Sequence, residues 1–181
     1  MVGINLSAYG KGADFNIADA VETCAEIDGI TRIRLGSLEP DHITDSIIER
    51  LSSVEKFCPQ FHISLQSGCD KTLKSMNRHY TASEYSELCQ KLRKAFKDCS
   101  LTTDVMVGFN EETQNDFEES LEFVKKVGFE KVHVFPYSER TGTAASKRGD
   151  SVTKSEKEKR AAVMIKETED TVSYTHLTLP T

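Results

Sequence analysis

The sequence predicts an α/β protein, and within that class a partial (β/α) barrel of parallel strands that is truncated before its first strand. Two observations support this fold class. Short apolar strand patterns alternate with longer helical patterns about every 30 to 40 residues, which is typical of a parallel sheet covered by helices. The two faces of several predicted strands also differ in polarity, which favours a barrel with a polar interior over an open, doubly wound sheet.

The strands are predicted from short apolar runs along the chain. The first run stands at the start of the sequence with nothing before it, so we expect the chain to begin inside a domain. The predicted strands are Gly3 to Leu6, Thr31 to Leu38, Phe61 to Gln66, Leu101 to Phe109 and Lys131 to Tyr137.

The helices are predicted from apolar residues spaced three and four apart, which form one face of a helix. Thr81 with Glu84 and Thr113 with Asp116 have the spacing of capping boxes, and Gly128 is predicted to end the fourth helix. The four predicted helices begin at Ile17, Ile43, Ser83 and Phe117.

Polar and apolar residues alternate along the predicted strands. We expect helices to cover the apolar face and the polar face to line an interior space that holds water or a ligand. Arg32 and Arg34 would then lie inside, and because an unpaired buried charge is very costly, we expect Asp104 to compensate them. An alternative is that these strands lie at a sheet edge with their polar face in solvent. The alternation is clearest where Phe61, Ile63 and Leu65 are interleaved with His62, Ser64 and Gln66.

Composition limits the possible functions. The chain has 181 residues, of which 38% are hydrophobic, as in a soluble domain with a real core. The formal charge of −6 argues against wide phosphate-backbone contact by this polypeptide alone. The five cysteines form no close pair, so we expect reduced thiols. The sequence shows no signal peptide or membrane-length apolar run, which predicts a cytoplasmic protein without a membrane partner.

The predicted strand ends carry glycine and hydrogen-bonding residues. In parallel α/β folds the ligand site lies at the carboxyl ends of the strands. Glycine allows close backbone approach, while Ser, Gln, Asn and Glu can bind hydroxyl, amino and carboxylate groups. Five such ends in succession predict a site for a polar ligand that carries both charges. None of the predicted strands before Lys131 contains a lysine, so Schiff-base chemistry of the aldolase type fits less well.

Five sequence blocks, taken in order, resemble the radical S-adenosylmethionine methylthiotransferases. They are GINLSAYG, RIRLGSLEP, FHISLQSGCDKTLKSMNRHYT, TDVMVGFNEETQNDF and VFPYSERTGTAA. They are most similar to the MtaB-type branch, which thiomethylates threonylcarbamoyladenosine in tRNA, and GINL and SLEP favour that branch. The resemblance covers Gly3 to Glu169.

The resemblance implies a six-stranded partial barrel of the radical SAM type, in which a [4Fe-4S] cluster and S-adenosylmethionine meet at the strand ends. In that family an electron, from a donor such as flavodoxin or ferredoxin, cleaves S-adenosylmethionine to a 5′-deoxyadenosyl radical. The radical abstracts hydrogen from the base, and sulfur insertion and methylation follow. The protein positions the cofactors and excludes water. The tRNA partner would be bound through domains absent from this chain.

The resemblance also implies cofactor-binding positions, while the catalytic residues stay unknown and no metal ligand is assigned. Gly3 and Asn5 match positions near the methionine amino group, and Gly108 with its flanks matches the turn beside the adenosine. Glu112 matches the acid of the family's Gly-Phe-Pro-Gly-Glu-Thr motif. The positions that hold the polar groups of methionine and ribose match Ser37, Glu39, Gln66 and Ser67. Asp104, on the polar face, is added to this set. The end of the last strand carries Tyr137, Ser138 and Arg140.

The sequence departs from the family in ways that limit the expected activity. It has no Cys-x-x-x-Cys-x-x-Cys loop, and without three thiolates the cluster that binds S-adenosylmethionine is not built. We therefore expect an interior fragment that is inactive alone, with residues 1–140 forming the partial barrel. Residues 141–171 are expected to be a linker and helix leading to an absent RNA-binding domain, and residues 172–181 resemble a translated sequencing adapter rather than native sequence. Asn110 and Glu111 replace the family's Pro and Gly, so the turn could be shaped differently.

Other interpretations remain open. The chain could belong to a related methylthiotransferase that acts on another tRNA base or on a ribosomal protein, or it could be a non-catalytic βα binding module. Glu112, Thr113 and Asp116 could serve only to complement a helix N-terminus. We expect His62 and His133 to be interior residues rather than metal ligands, and Cys69 to be an ordinary thiol. The run KSEKEKR, residues 154–160, is predicted to be a solvated helix face.

Overall fold

The computed structural model describes residues 1–3 and 6–177, and the side chains of Ser7 and of residues 170–177 are outside the description. Asn5, and with it part of the predicted strand Gly3 to Leu6, lies outside the described residues, as do residues 178–181 of the suspected adapter. The chain divides into two compact units. The first comprises Met1–Ser64 and Tyr85–Leu101, and the second comprises Leu65–Glu84 and Thr102–Thr181.

Two helices of the first unit, α1 and α2, begin with a polar cap. Helix α1 (Ile17–Ala25) starts at Asn16, and helix α2 (Asp45–Ser52) starts at Thr44, whose side chain accepts from Ile47 N–H at 3.3 Å. Strands β1 (Ser37–Leu38) and β2 (Gln60–Ile63) pair in parallel. Short 3₁₀ helices span Leu6–Ala8 and Pro40–His42, and most of helix α4 (Ala82–Ala95) belongs to this unit.

The core of the first unit is aromatic. Phe57, Phe61 and Phe96 pack with ring centroids 5.1 to 5.8 Å apart, and all three are buried. The buried Tyr85 of α4 donates its hydroxyl to Ile63 O at 2.8 Å, which holds the helix against the end of β2. At the surface Arg50 pairs with both Asp19 and Glu22 and so joins α2 to α1.

The second unit holds helix α3 (Asp70–Ser75), helix α5 (Gln114–Val127), strand β4 (Lys131–Pro136) and helix α6 (Lys154–Leu177). Strand β3 (Ser100–Val107) begins in the first unit, where Ser100 N–H donates to Pro59 O at 2.8 Å. It continues in the second unit, where it pairs in parallel with β4. Among the described residues the sheet order is β1-β2-β3-β4, and the predicted parallel α/β class is confirmed.

Beyond shifts at the ends of several strands and helices, the predicted elements differ from the observed ones in three places. Thr31 to Leu38 was expected to be one strand, but only Ser37–Leu38 is a strand, preceded by a single bridge between Ile33 and Phe57. Leu6 lies in a 3₁₀ helix rather than in a first strand. Helix α3 was not predicted, because its six residues are too few to show a helical period.

The predicted alternation of burial is confirmed along β3, but the predicted interior placement of Arg32 and Arg34 is wrong. Along β3 the residues at positions 101, 103, 105 and 107 are buried and those between them, including Asp104, are half-buried, as the alternation predicted. Arg32 and Arg34, by contrast, are exposed, and Arg32 Nε donates to Cys58 Sγ at 3.4 Å. Their charges stay in solvent, so the expected compensation by Asp104 is not required.

The start of helix α6 is more buried than the sequence predicted. The run 154–160 was expected to be a solvated helix face, but Lys157 and Arg160 are buried. Ala161, Met164 and Thr168 continue the same buried face at spacings of three and four. The first half of α6 therefore packs with two cationic side chains in its interface. No helix of the described residues is both long and apolar enough to cross a membrane.

Candidate functional site

The turn that follows β2 is held in place by the backbone of Gln66. Gln66 N–H donates to Asp104 O at 2.9 Å, and Gln66 O accepts from Met106 N–H at 2.8 Å, which forms a parallel bridge opposite Val105. Gln66 nevertheless has a φ of +69°, the left-handed region in which residues other than glycine are strained. The sheet thus fixes a half-buried glutamine in a conformation that its own side chain disfavours.

Ser67 and Gly68 pack this turn against α5. Ser67 is fully buried, and its hydroxyl accepts from Cys69 N–H at 3.2 Å. Gly68 N–H donates to Ser120 Oγ at 2.8 Å. A Cβ at position 68 would lie 2.7 Å from Phe123 Cβ and 2.9 Å from Ser120 O, so only glycine allows this close approach.

Cys69 immediately precedes α3 and faces Asp116. Its thiol lies 3.8 Å from Asp116 Oδ1, and Lys71 Nζ lies 2.7 Å from Asp116 Oδ2. Burial raises the pKa of Cys69, which suits an ordinary protonated thiol. Burial also opposes ionisation of Asp116, but hydrogen bonds from Lys71 and Thr113 together outweigh it and lower the pKa of that carboxyl. Asp116 and Thr113 form the predicted capping box of α5.

The turn after β3 centres on Gly108, whose φ is +69°. Gly108 N–H donates to Glu112 Oε1 at 2.8 Å in a buried hydrogen bond. A Cβ at position 108 would lie 2.4 Å from Lys157 Cγ, because the Lys157 side chain passes directly over the glycine. In this structure the exposed backbone expected at this turn is therefore covered by α6.

At Glu111, where the family has glycine, the backbone has a positive φ that glycine adopts without strain. Glu111 has a φ of +64°, its side chain is exposed, and its N–H donates to Ser151 Oγ at 2.8 Å. The Ser151 hydroxyl donates to Asn110 Oδ1 at 3.0 Å. Asn110 is buried, and its Nδ2 has no partner among the described residues. The family's glycine position is thus occupied by a glutamate in the same left-handed region.

Glu112 forms a buried ion pair rather than a helix cap. Arg160 Nη1 lies 2.8 Å from Glu112 Oε1 and 3.0 Å from Glu112 O, with 7% and 2% of the two side chains exposed. Burial raises the pKa of Glu112, while the Gly108 N–H and Arg160 favour its charged form. Sequence reasoning missed both Arg160 and Lys157, because they belong to a run of charges that resembles a surface segment.

Tyr137 lies immediately after β4 and packs beside the Gly108 turn. Its N–H donates to Val107 O at 2.9 Å, and its ring centroid lies 4.8 Å from that of Phe109. Lys157 Nζ lies 4.9 Å from the Tyr137 ring centroid and pairs with Asp150. Burial raises the pKa of Tyr137, and its buried hydroxyl has no partner among the described residues.

The other predicted site residues have simpler surroundings. Ser138 and Arg140 are exposed beyond β4. In the first unit Gly3 and Ser37 are exposed, and Glu39 is half-buried before the 3₁₀ helix Pro40–His42. The second unit joins Gln66 with Asp104, and Gly108 with Glu112, by direct hydrogen bonds.

The described residues do not provide the ligands of an iron–sulfur cluster. They contain no group of three or more His, Cys, Asp or Glu side chains placed to bind one metal ion. Cys24, Cys58 and Cys99 are half-buried, and Cys69 and Cys89 are buried. A polar ligand is better matched, because Tyr137 and Asn110 each leave one buried polar atom without a partner among the described residues.

Residues 9–124 match the family model described as the radical SAM superfamily. The chain belongs to this superfamily. One relative, the threonylcarbamoyladenosine tRNA methylthiotransferase MtaB of Thermotoga maritima, is 38% identical over 170 residues, which cover 94% of this chain and 39% of that protein. Another, a tRNA-2-methylthio-N(6)-dimethylallyladenosine synthase of Clostridium botulinum, is 40% identical over 162 residues, or 88% of this chain and 36% of that protein.

A solved structure supports the fold independently. The archaeal Elp3 of Methanocaldococcus infernus superposes on 97% of this chain and 39% of its own length with a TM-score of 0.59 at 14% identity. The family match and this fold likeness confirm the predicted partial barrel of the radical SAM type, and the two relatives confirm the resemblance to the methylthiotransferases. The chain spans well under half the length of both relatives, and identities of 38% and 40% do not separate their two tRNA substrates.

Proposed function

We propose that this chain is the central part of a tRNA methylthiotransferase that adds a methylthio group to threonylcarbamoyladenosine next to the anticodon. The observation that carries the proposal is the similarity to a threonylcarbamoyladenosine tRNA methylthiotransferase over 94% of this chain. A cytoplasmic location and an electron donor such as flavodoxin or ferredoxin belong to the same proposal. So does the expectation that the chain alone is inactive, because its cysteines lack the cluster-loop spacing.

S-adenosylmethionine would supply the radical and methyl chemistry, and the residues of this chain would bind and orient it. Gln66 supports this role, because a strained non-glycine residue fixed by two backbone hydrogen bonds is a feature that functional sites often retain. Its amide can donate to and accept from a ribose or a carboxylate. The Tyr137 hydroxyl offers a further buried donor beside the Gly108 turn. Glu39 is a separate proposed position that rests on the resemblance alone.

Titration calorimetry with S-adenosylmethionine tests the cofactor site. We expect measurable binding that Gln66→Ala and Glu39→Ala weaken, while the control Gln114→Ala binds as the wild type does. Gln114 suits this control because it is exposed and bonds only to Glu118 within its own helix. Absence of binding, even in a chain extended to include a cluster loop, would favour a non-catalytic module.

A chimera tests the reaction and the substrate. Residues 3–169 would replace the matching segment of the Thermotoga maritima relative, and tRNA nucleosides would be measured by mass spectrometry. We expect 2-methylthio-threonylcarbamoyladenosine in tRNA from the chimera and its loss when Gln66→Ala is added. A chimera that folds and carries its cluster yet makes no product would contradict the assignment.

Iron and sulfide analysis tests the expected inactivity of the isolated chain. After anaerobic reconstitution we expect iron and sulfide near zero per chain. Stoichiometric uptake would show that the cysteines of this chain can hold a cluster after all.

A second candidate substrate is favoured by a specific observation. The relative named as a tRNA-2-methylthio-N(6)-dimethylallyladenosine synthase is 40% identical over 88% of this chain, against 38% over 94% for the threonylcarbamoyladenosine enzyme. A second chimera, made in that relative, would show whether the segment also supports modification of dimethylallyladenosine. Product in both chimeras would place the choice of base outside this segment.

A further inference from the structure

Arg160 of helix α6 is hydrogen-bonded to the turn after β3. Arg160 Nη1 donates to the Glu112 carboxylate at 2.8 Å and to the Glu112 backbone carbonyl at 3.0 Å. Arg160 Nε donates to Glu156 Oε1 one helical turn earlier at 3.2 Å, and the guanidinium carbon lies 5.7 Å from the Phe117 ring centroid. The guanidinium therefore has a fixed orientation, because its contacts lie on both α6 and the start of α5.

The same carboxylate oxygen connects Arg160 to Gly108. Glu112 Oε1 accepts from Arg160 and from Gly108 N–H, both at 2.8 Å. Because a carboxylate that accepts a bidentate or charged partner is held in one rotamer, the direction of the Gly108 N–H follows from the position of Arg160. Lys157, one turn earlier on α6, lies against the α-carbon of Gly108.

We propose that Arg160 is a positioning residue that fixes the Gly108 peptide group through Glu112. This inference rests on the proposed function, in which the Gly108 turn lies beside the adenosine of S-adenosylmethionine. α6 then acts as a support for the cofactor turn rather than as a surface helix that leads out of the domain. The pair also makes the turn sensitive to any movement of α6.

Amide hydrogen exchange of Gly108, followed by NMR on the full chain, tests the positioning directly. Arg160→Met removes the guanidinium and is expected to speed Gly108 exchange about tenfold or more, since a hydrogen bond to a charged acceptor loses its fixed partner. Arg160→Lys keeps the charge but not the planar guanidinium, so the exchange rate of Gly108 should lie between those of the wild type and Arg160→Met. Met164→Ala is the control, because Met164 is fully buried on the same helix and its side chain carries no charge.

Binding of S-adenosylmethionine gives the second measurement. The dissociation constant should rise about tenfold in Arg160→Met and stay near the wild-type value in Met164→Ala, even where the control unfolds at lower denaturant concentration. If Arg160→Met does not fold, the double variant Glu112→Gln/Arg160→Met is measured in its place. It removes both charges, and deleting a whole buried ion pair is better tolerated than deleting one partner.

The outcomes separate the two proposals. Gly108 exchange that changes equally in Arg160→Met and Met164→Ala would overturn the positioning role, since the arginine would then act only on global stability. If neither the wild-type chain nor a chain extended to include a cluster loop binds S-adenosylmethionine, the proposed function is contradicted, while the exchange measurement would still decide whether Arg160 fixes the turn.

Discussion

Two turns of the second unit, Gln66–Cys69 after β2 and Gly108–Glu112 after β3, share a left-handed backbone at their first residue but have different residues there. Each begins with a residue at a φ of +69° in the segment that follows a parallel strand. In the second turn that residue is glycine, and the structure explains it, since the Lys157 side chain passes over its α-carbon. In the first turn the residue is glutamine, which is strained there.

The comparison shows where a glycine is a packing residue and where a strained residue points to function. Gly108 and Gly68 both meet neighbouring protein atoms, so packing accounts for both glycines. For Gln66 the described contacts explain the backbone, through Asp104 and Met106, but not the choice of a long polar side chain. Strain that packing does not explain is the stronger functional signal.

The largest effect is expected for Gly108→Ala. A methyl group would meet Lys157 Cγ at 2.4 Å in a left-handed conformation, so we expect the free energy of unfolding to fall by about 2 to 4 kcal/mol. Gly142→Ala is the control, because Gly142 also has a positive φ but no neighbour within 4 Å. Lys157→Ala should rescue part of the loss in urea unfolding. Equal losses at positions 108 and 142 would show that backbone conformation alone requires the glycine.

Gly68→Ala should cost less, because its φ is ordinary and only the steric overlap remains. The new Cβ would lie 2.9 Å from the Ser120 carbonyl oxygen, a backbone atom that cannot rotate away, so we expect a loss of about 1 to 3 kcal/mol in the free energy of unfolding. At Gly36, where the nearest atom would lie 3.5 Å from the new Cβ, alanine should change stability by less than about 0.5 kcal/mol. A similar change at both positions would mean that α5 moves to accommodate the methyl group.

Local patterns predicted the parts of these turns that depend on neighbouring residues. The capping boxes at Thr81 and Thr113 and the left-handed Gly128 at the end of α5 are all confirmed. These features involve residues three or four apart, so their physics is contained in a short stretch of sequence. The alternation along β3 also predicted its buried positions, because the side-chain period of a strand is a local property.

Contacts between distant residues could not be predicted in this way. Arg160 and Glu112 are 48 residues apart, and the charge run around Arg160 gives no local sign that two of its members are buried. The prediction of a solvated face failed because charge composition does not reveal a partner elsewhere in the chain. The strand Thr31 to Leu38 was overpredicted for a related reason, since tertiary pairing reaches only its last two residues and a single bridge at Ile33.

Gln66→Gly and Glu111→Gly separate strain from function. Both residues have left-handed backbones, so glycine should raise the free energy of unfolding by about 0.5 to 1 kcal/mol at each position. Only Gln66→Gly should weaken binding of S-adenosylmethionine, because the exposed Glu111 side chain is not part of the proposed site. Thermal unfolding and calorimetry on the two variants provide the measurements. A Gln66→Gly chain that is more stable and binds as well as the wild type would remove the functional reading of this residue.

The smallest effect is expected in the pH dependence of stability, and it has opposite signs at Glu112 and Asp116. Burial raises the pKa of Glu112, so the folded chain keeps a proton that the unfolded chain has lost, and stability should fall as pH rises through the range just above the ordinary pKa of glutamate. The pKa of Asp116 is lowered, so its contribution is present above the ordinary pKa of aspartate and is lost as pH falls below it. Urea unfolding at a series of pH values gives the free energy of unfolding as a function of pH. Above the ordinary pKa of glutamate this curve should be flatter in Glu112→Gln than in the wild type, and on its acid side it should be flatter in Asp116→Asn. If Glu112→Gln instead flattens the acid side, Arg160 outweighs burial and keeps Glu112 ionised in the folded chain.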